Sequence, residues 1–77
     1  MKAGVYRHYK GGYYLVLGIA RNSTNNDTID RGMKRYVVYV GLTEKSGPRM
    51  FVREIKEFEE RTANDVPRFS YVGQEIP

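Results

Sequence analysis

The sequence predicts a mainly β fold: a small SH3-like, partly open barrel of four or five strands with one short helical turn. Three observations lead to this prediction. Short runs rich in tyrosine, valine, leucine and isoleucine recur along the 77 residues, turn-forming residues separate them, and one stretch has helix-like spacing. A chain of this length forms one small domain, which we place over residues 1–77.

Up to five strands and one helical turn are predicted. The clearest strand is 13–21, where apolar residues occupy both faces, so we expect burial on both sides, inside the barrel or beneath a partner. The first strand, 5–9, ends at a Gly-Gly turn, since glycine tolerates positive φ. The remaining predictions are strands at 35–42, 49–53 and 68–72, a helical turn within 54–61, and polar connections at 22–34 and 43–48.

The composition excludes several classes of protein. Cysteine is absent, so neither a disulfide nor a thiolate-bound metal can stabilise the domain, and a cytoplasmic location fits. The longest apolar run, 13–17, is far shorter than the roughly 20 residues of a membrane span, and no signal peptide is recognisable. Since so small a domain buries little surface, we expect a homo-oligomer to add buried area.

Positive charge coincides with the aromatic part of the chain. The net charge is +4, but residues 1–53 hold ten Lys and Arg against three Asp and Glu, or +7. Residues 54–77 hold three against six, or −3. This asymmetry indicates an anionic partner such as a phosphate, a nucleotide or a nucleic acid.

The stretch 6–14 concentrates side chains that suit anionic or planar molecules. It holds four tyrosines, two fixed positive charges and His8, the only histidine, around the Gly-Gly turn. Tyrosine supplies apolar area with a polar tip, and arginine supplies a rigid fork of donors. A second pattern, Arg49, Phe51 and Arg53, places two forks and a ring on one strand face, where they suit phosphate oxygens and a base. A solvated edge strand is the alternative interpretation.

No pattern for catalysis or metal binding accompanies these residues. His8 has no second histidine or cysteine with which to form a zinc site. The acidic run Glu57, Glu59 and Glu60 is interpreted as a solvated helical face rather than a catalytic carboxylate pair. We therefore expect no catalytic residue, no metal and no cofactor.

Five stretches together resemble a bacterial and phage family of domains of unknown function, family 1653. They are 4–11 (GVYRHYKG), 14–21 (YLVLGIAR), 37–39 (VVY), 52–53 (VR) and 66–69 (VPRF). The resemblance covers nearly the whole chain and implies a compact, β-rich, SH3-like domain without an established reaction. Phe51 stands where the family usually has tryptophan, and Glu54 where it usually has proline. The matching charged positions are Arg7, His8, Lys10, Arg21, Arg53 and Arg68.

These patterns predict a non-enzymatic domain that binds a phosphate-bearing small molecule, such as a nucleotide or a cyclic nucleotide signal. In a phage, one use would be to sequester a host defence signal. Two alternatives stay open: a module for single-stranded nucleic acid, with affinity that falls steeply with salt, and a protein-interaction domain that docks through strand 13–20. The predicted ligand-binding residues are Tyr6, Arg7, His8, Tyr9, Lys10, Arg21, Tyr39, Phe51, Arg53 and Arg68.

Overall fold

Five antiparallel strands form one open sheet in the order β4-β3-β2-β1-β5. The structure is a computed structural model, and it describes residues 1–23, 34–43, 45 and 49–77. The predicted mainly β fold with one short helical segment is therefore confirmed. Most of the predicted connections at 22–34 and 43–48 lie outside the described residues. The elements are β1 (Gly4–His8), β2 (Tyr13–Arg21), β3 (Arg35–Gly41), β4 (Met50–Glu54), α1 (Ile55–Phe58) and β5 (Phe69–Gly73).

A tight turn joins β1 to β2, as the Gly-Gly pair predicts. Gly11 and Gly12 have φ angles of 103° and 88°, which residues with a Cβ rarely adopt. The backbone amide of Gly11 donates to the carbonyl oxygen of His8 at 2.8 Å. The backbone amide of His8 donates to the carbonyl oxygen of Gly12 at 3.1 Å. These bonds end β1 at His8, one residue before the predicted end at Tyr9.

The sheet curls around its inner face. The ring centroids of Tyr39 on β3 and Phe69 on β5 lie 5.6 Å apart. Two strands separate β3 from β5, so in a flat sheet their backbones would be about 14 Å apart, at about 4.8 Å per strand. Register shifts at Val16/Gly18 in β2 and at Val5/Tyr6 in β1 supply the local bends.

An aromatic core fills the inner face of this curled sheet. Phe58, the buried residue of α1, stacks on Phe69 with centroids 4.0 Å apart, so the helix closes the space between the two ends of the sheet. Each such buried side chain contributes about 1.5–3 kcal/mol of hydrophobic stabilisation. The buried cluster consists of Tyr6, Val16, Val37, Tyr39, Phe58 and Phe69.

The expectation that the barrel itself buries both faces of β2 is wrong, and burial beneath a partner stays a prediction. Leu17 is 50% exposed and Ile19 is 41% exposed. β1 pairs only with the first four residues of β2, as far as Val16. Beyond Val16, β3 is the one neighbour of β2 among the described strands, so the second half of β2 overhangs the sheet. The apolar pattern of β2 could not predict this exposure, because the pattern carries no information on the length of β1.

The helix is shorter than the predicted segment 54–61. It comprises Ile55–Phe58 and lacks a side-chain hydrogen bond at its N-cap, Glu54. The backbone amide of Arg68 donates to the carbonyl oxygen of Glu60 at 3.0 Å, because the chain after α1 turns back on itself rather than continuing as helix. Within the described part of the chain, no helix has the length and apolarity to cross a membrane.

Candidate functional site

A cleft of about 290 Å³ forms where the first and last sequence motifs meet. Antiparallel pairing of β1 with β5 places Arg7 opposite Ser70 and His8 opposite Phe69. The backbone amide of Tyr9 extends this contact by donating to the carbonyl oxygen of Arg68 at 2.9 Å. We call this feature the motif cleft, and its lining residues are Arg7, His8, Tyr9, Val66, Pro67 and Ser70.

His8 is held in one orientation by its neighbours. Its Nδ1 accepts a hydrogen bond of 3.1 Å from the backbone amide of Lys10. An accepting Nδ1 means that the neutral imidazole carries its proton on Nε2. The ring contacts Tyr9, at a centroid distance of 4.7 Å, and Phe69, at 4.9 Å. These contacts leave Nε2 as the donor of the neutral ring, and its predicted role in holding a ligand stays a prediction.

The surroundings of His8 are electropositive. Burial lowers the pKa of His8, and the positive charges of Arg53, Arg68 and Lys10 lower it further. These cations act on one imidazole although they come from β4, the segment before β5 and the turn after β1. The same field that disfavours a proton on His8 favours a bound anion.

Two of these arginines have acidic partners that lie nearer to solvent. Arg53 Nη1 lies 3.3 Å from Glu57 Oε1, and Arg68 Nη2 lies 2.9 Å from Glu60 Oε1. The arginine side chains are 31% and 25% exposed, whereas the glutamates are 57% and 55% exposed. Exposed pairs of this kind contribute only about 0–1 kcal/mol. The carboxylates can therefore give way to another anion at little cost.

The Nε atoms of Arg53 and Arg68 differ in their hydrogen bonding. Arg53 Nε donates to Tyr39 Oη at 3.2 Å, and this bond, despite an opposing effect of burial, raises the pKa of Arg53. Arg68 Nε is buried and donates to no acceptor among the residues that the structure describes. A buried donor without a partner costs about 1–3 kcal/mol, so an oxygen brought within reach of it would be stabilised.

Arg7 differs from both because no acid in the described part of the chain matches its charge. It is exposed on the outer side of β1, and no carboxylate in the described ranges forms an ion pair with it. Its cross-strand neighbours are Tyr13 on β2 and Ser70 on β5. Arg7 is therefore the cation of the motif cleft with most of its binding capacity unused.

The structure brings together some of the predicted site residues and separates others. Tyr6 and Tyr39 are 7% and 4% exposed and belong to the core, where the hydroxyl of Tyr6 donates to the carbonyl oxygen of Lys2. Half-buried Phe51 stacks on Tyr39 at 5.4 Å, and Arg21 lies at the opposite end of β2. Three of the predicted residues line the motif cleft, namely Arg7, His8 and Tyr9, while Lys10, Arg53 and Arg68 contribute positive charge that acts on His8.

Sequence reasoning missed two parts of the site. Val66, Pro67 and Ser70 line the motif cleft, although only the first two belonged to a recognised motif and no role was assigned to them. Glu57 and Glu60, interpreted as a solvated face, pair with arginines. The sequence contained a signal for the pair of Arg53 and Glu57, because residues four apart on a helix are neighbours. It contained no such signal for the pair of Arg68 and Glu60.

Within the described ranges, no group of three or more histidine, cysteine or acidic residues is arranged to hold a metal ion. The absence of a metal and of a cofactor stays a prediction.

Two comparisons with known proteins find the same family. The model of a family described as "Protein of unknown function (DUF1653)" matches residues 4–71. The chain is also similar to a crystal structure of a DUF1653 protein from Bordetella bronchiseptica. The two are 39% identical, the match covers 100% of this chain and 94% of the other, and the TM-score is 0.79. No curated protein matches the chain. These findings indicate no catalytic family.

Proposed function

The chain belongs to DUF1653, a family of unknown function, so we propose its function from the motif cleft. We propose that the protein binds a phosphate-bearing small molecule of nucleotide size in this cleft and does not transform it. The observation that carries this proposal is the motif cleft itself, which Arg7 and His8 line in surroundings positive enough to lower the pKa of His8. Arg7, without an acidic partner in the described chain, lines the same cleft.

The chemistry of the lining suits a phosphate group. The Arg7 guanidinium is a rigid fork that matches two phosphate oxygens, and His8 adds a donor at Nε2. Ser70, whose side chain carries a hydroxyl, lines the same cleft. Such a set neutralises charge and satisfies several oxygens at once, which a lone surface lysine does not.

The size of the cleft restricts the rest of the ligand. The volume of about 290 Å³ is just below the roughly 300–1,000 Å³ found for ligand pockets. Tyr9 offers a 48% exposed ring, and Val66 and Pro67 form an apolar wall. A mononucleotide or a cyclic nucleotide fits these limits better than a dinucleotide does. Aromatic stacking of a base on Tyr9 would contribute about 1–3 kcal/mol.

Binding without turnover agrees with the residues at the site. His8 is the one histidine of the cleft lining, and burial and the nearby cations lower its pKa, so it takes up a proton less readily than a free histidine. The lining contains no carboxylate that could orient this imidazole as a base. Sequestration of a nucleotide signal in the cytoplasm, by a homo-oligomer in a phage-infected cell, is the use that we propose.

Replacing Arg7 with glutamine should weaken nucleotide binding at least about tenfold, because a charged hydrogen bond is worth about 1.5–3 kcal/mol. Isothermal titration calorimetry with a panel of mononucleotides and cyclic nucleotides measures this loss. Arg49→Gln is the matched control: it removes the same charge from an exposed arginine that does not line the motif cleft. Failure of the wild-type protein to bind any nucleotide, or equal losses in both variants, would contradict the proposed function.

Affinity for a phosphodiester should rise as pH falls from about 8 to about 5. The pKa of free His8 lies below its usual value, and a bound anion raises it, so binding takes up a proton between the two values. One proton gives a slope of up to about tenfold per pH unit. The probe is 3′,5′-cyclic AMP, whose phosphodiester charge is constant in this range, measured by calorimetry. The slope should flatten in His8→Gln; an unchanged slope would assign the effect to another group.

A further inference from the structure

The face of the sheet that points away from the core carries a continuous apolar surface on β2, β3 and β4. Val37 and Tyr39 of β3 belong to the core, so alternation along the strand puts Tyr36, Val38 and Val40 on the opposite face. Cross-strand pairing extends this face to both neighbouring strands. The three pairs are Ala20 with Tyr36, Val38 with Val52, and Val40 with Met50. We call these six residues the outer patch.

The outer patch contains the two most exposed large apolar side chains of the described residues. Val52 is 67% exposed and Met50 is 63% exposed. The helix α1 does not cover them, because it packs on the core side of the sheet through Phe58. Single apolar side chains on a surface need no explanation, whereas a contiguous group of them marks an interaction site.

The outer patch has both a groove and a protrusion. The groove has a volume of about 330 Å³, and Ala20, Tyr36 and Val52 are among its lining residues. Met50 lies two residues before Val52 on the same face of β4 and projects beside the groove. A methionine side chain is unbranched and adapts its shape to irregular apolar spaces. Two copies of the chain can therefore each insert Met50 into the groove of the other.

The distribution of charge favours a second copy as the occupant. None of the six residues of the outer patch is charged, and Glu54, opposite Tyr36, stands at the end of the patch. A neutral face matches an identical neutral face and offers no group that would select a strongly charged partner. In a symmetric pair, Glu54 stays at the rim of the contact, where charged side chains remain hydrated.

The area of the sheet indicates how strong this contact is. The strands β2, β3 and β4 hold 9, 7 and 5 residues. At about 3.3 Å per residue and about 4.8 Å between strands, their outer face covers about 300 Å² of flat sheet in each copy. A pair therefore buries at least about 600 Å², before the relief of the side chains is counted. Contacts below about 1,200 Å² are weak and reversible, so we expect a dimer that forms at high protein concentration.

We propose that two copies of this chain associate face to face through their outer patches, each placing Met50 in the groove of the other. Exchange of a protrusion and a groove requires a two-fold axis midway between them, which is close to Val52. Val52 of one copy therefore lies near Val52 of the other. No residue of the outer patch lines the motif cleft, so this inference goes beyond the proposed function.

Sedimentation velocity from about 1 μM to about 1 mM protein tests the dimer. The wild-type protein should pass from monomer to dimer in this range. Val52→Glu should raise the dissociation constant at least about thirtyfold, because two carboxylates would enter each interface without partners. Ile76→Glu is the matched control: it adds the same charge at an apolar residue that is 49% exposed and lies outside the outer patch, and it should leave the constant unchanged.

Mixing two charge variants tests the position of the axis. Val52→Lys alone should dissociate as Val52→Glu does. An equimolar mixture of the two should form a heterodimer at least about tenfold more tightly than either variant pairs with itself, because opposite charges then meet at the axis. Since Val52 is exposed, both variants should keep the circular dichroism spectrum of the wild-type protein.

Ala20→Glu separates a face-to-face contact from pairing along the edge strand β4. Ala20 is on β2, two strands away from that edge, but it lines the groove. The variant should weaken the dimer at least about tenfold if Met50 enters the groove, and an unchanged dimer would overturn the proposal in favour of edge pairing. A wild-type protein that is monomeric throughout, equal effects of Val52→Glu and Ile76→Glu, or no gain on mixing would also overturn it. A monomer that co-sediments with phosphatidylcholine vesicles would assign the outer patch to a lipid surface instead. None of these outcomes bears on nucleotide binding at the motif cleft.

Discussion

Replacing Phe58 with alanine is expected to unfold the domain. Phe58 is 1% exposed, and its ring lies 4.0 Å from that of Phe69 and 5.4 Å from those of Tyr6 and Tyr39. Truncation of a buried phenylalanine costs about 3–5 kcal/mol. The core of so small a domain rarely supplies more than about 3–5 kcal/mol in total. Urea denaturation followed by circular dichroism measures the loss.

Glu59→Ala is the matched control, because Glu59 is the exposed neighbour of Phe58 just after α1. Its free energy of unfolding should stay within about 0.5 kcal/mol of the wild-type value. If Phe58→Ala unfolds at the same urea concentration as Glu59→Ala, the helix does not close the core in the way the geometry indicates.

Replacing Gly4 with alanine is expected to destabilise the sheet strongly. Gly4 has a φ of 132°, a conformation that costs other residues about 1–3 kcal/mol. A Cβ at this position would also lie 2.9 Å from the carbonyl oxygen of Gly73 and 3.0 Å from the ring of Tyr71. The backbone of β5 would have to move away, so the pairing of β1 with β5 would loosen. Thermal unfolding measures the change.

Two other glycines separate the causes of this effect. Gly11 has a φ of 103°, but a Cβ added there would meet open space, so Gly11→Ala should show the conformational cost alone. Gly18 has neither positive φ nor a neighbour within 4 Å of an added Cβ, so Gly18→Ala should be nearly neutral. A loss in Gly4→Ala no larger than that in Gly11→Ala would mean that contact with β5 does not matter.

Local sequence patterns predicted the strands better than their arrangement. β2 and β3 were evident because β-branched and aromatic residues dominate them. The position of β5 beside β1 was not predicted, because it depends on contacts such as that between His8 and Phe69, which are distant in sequence. The overhang of β2 was missed for the same reason: burial of Leu17 depends on the length of β1 and not on its own neighbours.

The sequence predicted the chemical character of the candidate site, but it did not predict which residues line it. The motif around His8 indicated cations and rings, and the structure places Arg7 and Tyr9 beside it. Sequence alone does not distinguish Tyr6, which is in the core, from Tyr9, which is in the cleft, because the two have identical chemistry and differ only in which side of β1 the core covers. The acidic partners were missed because pairing between Arg68 and Glu60 depends on the turn after α1.

The pairing of β1 with β5 has a consequence for biosynthesis. Residues 7–9 leave the ribosome well before their partners at 66–70, which emerge only after most of the domain has been translated. A nascent chain therefore has no complete motif cleft, and folding must bring together segments about 60 residues apart, which slows it relative to local hairpins. Premature termination before residue 66 would yield fragments that keep the arginine-rich half and cannot form the motif cleft.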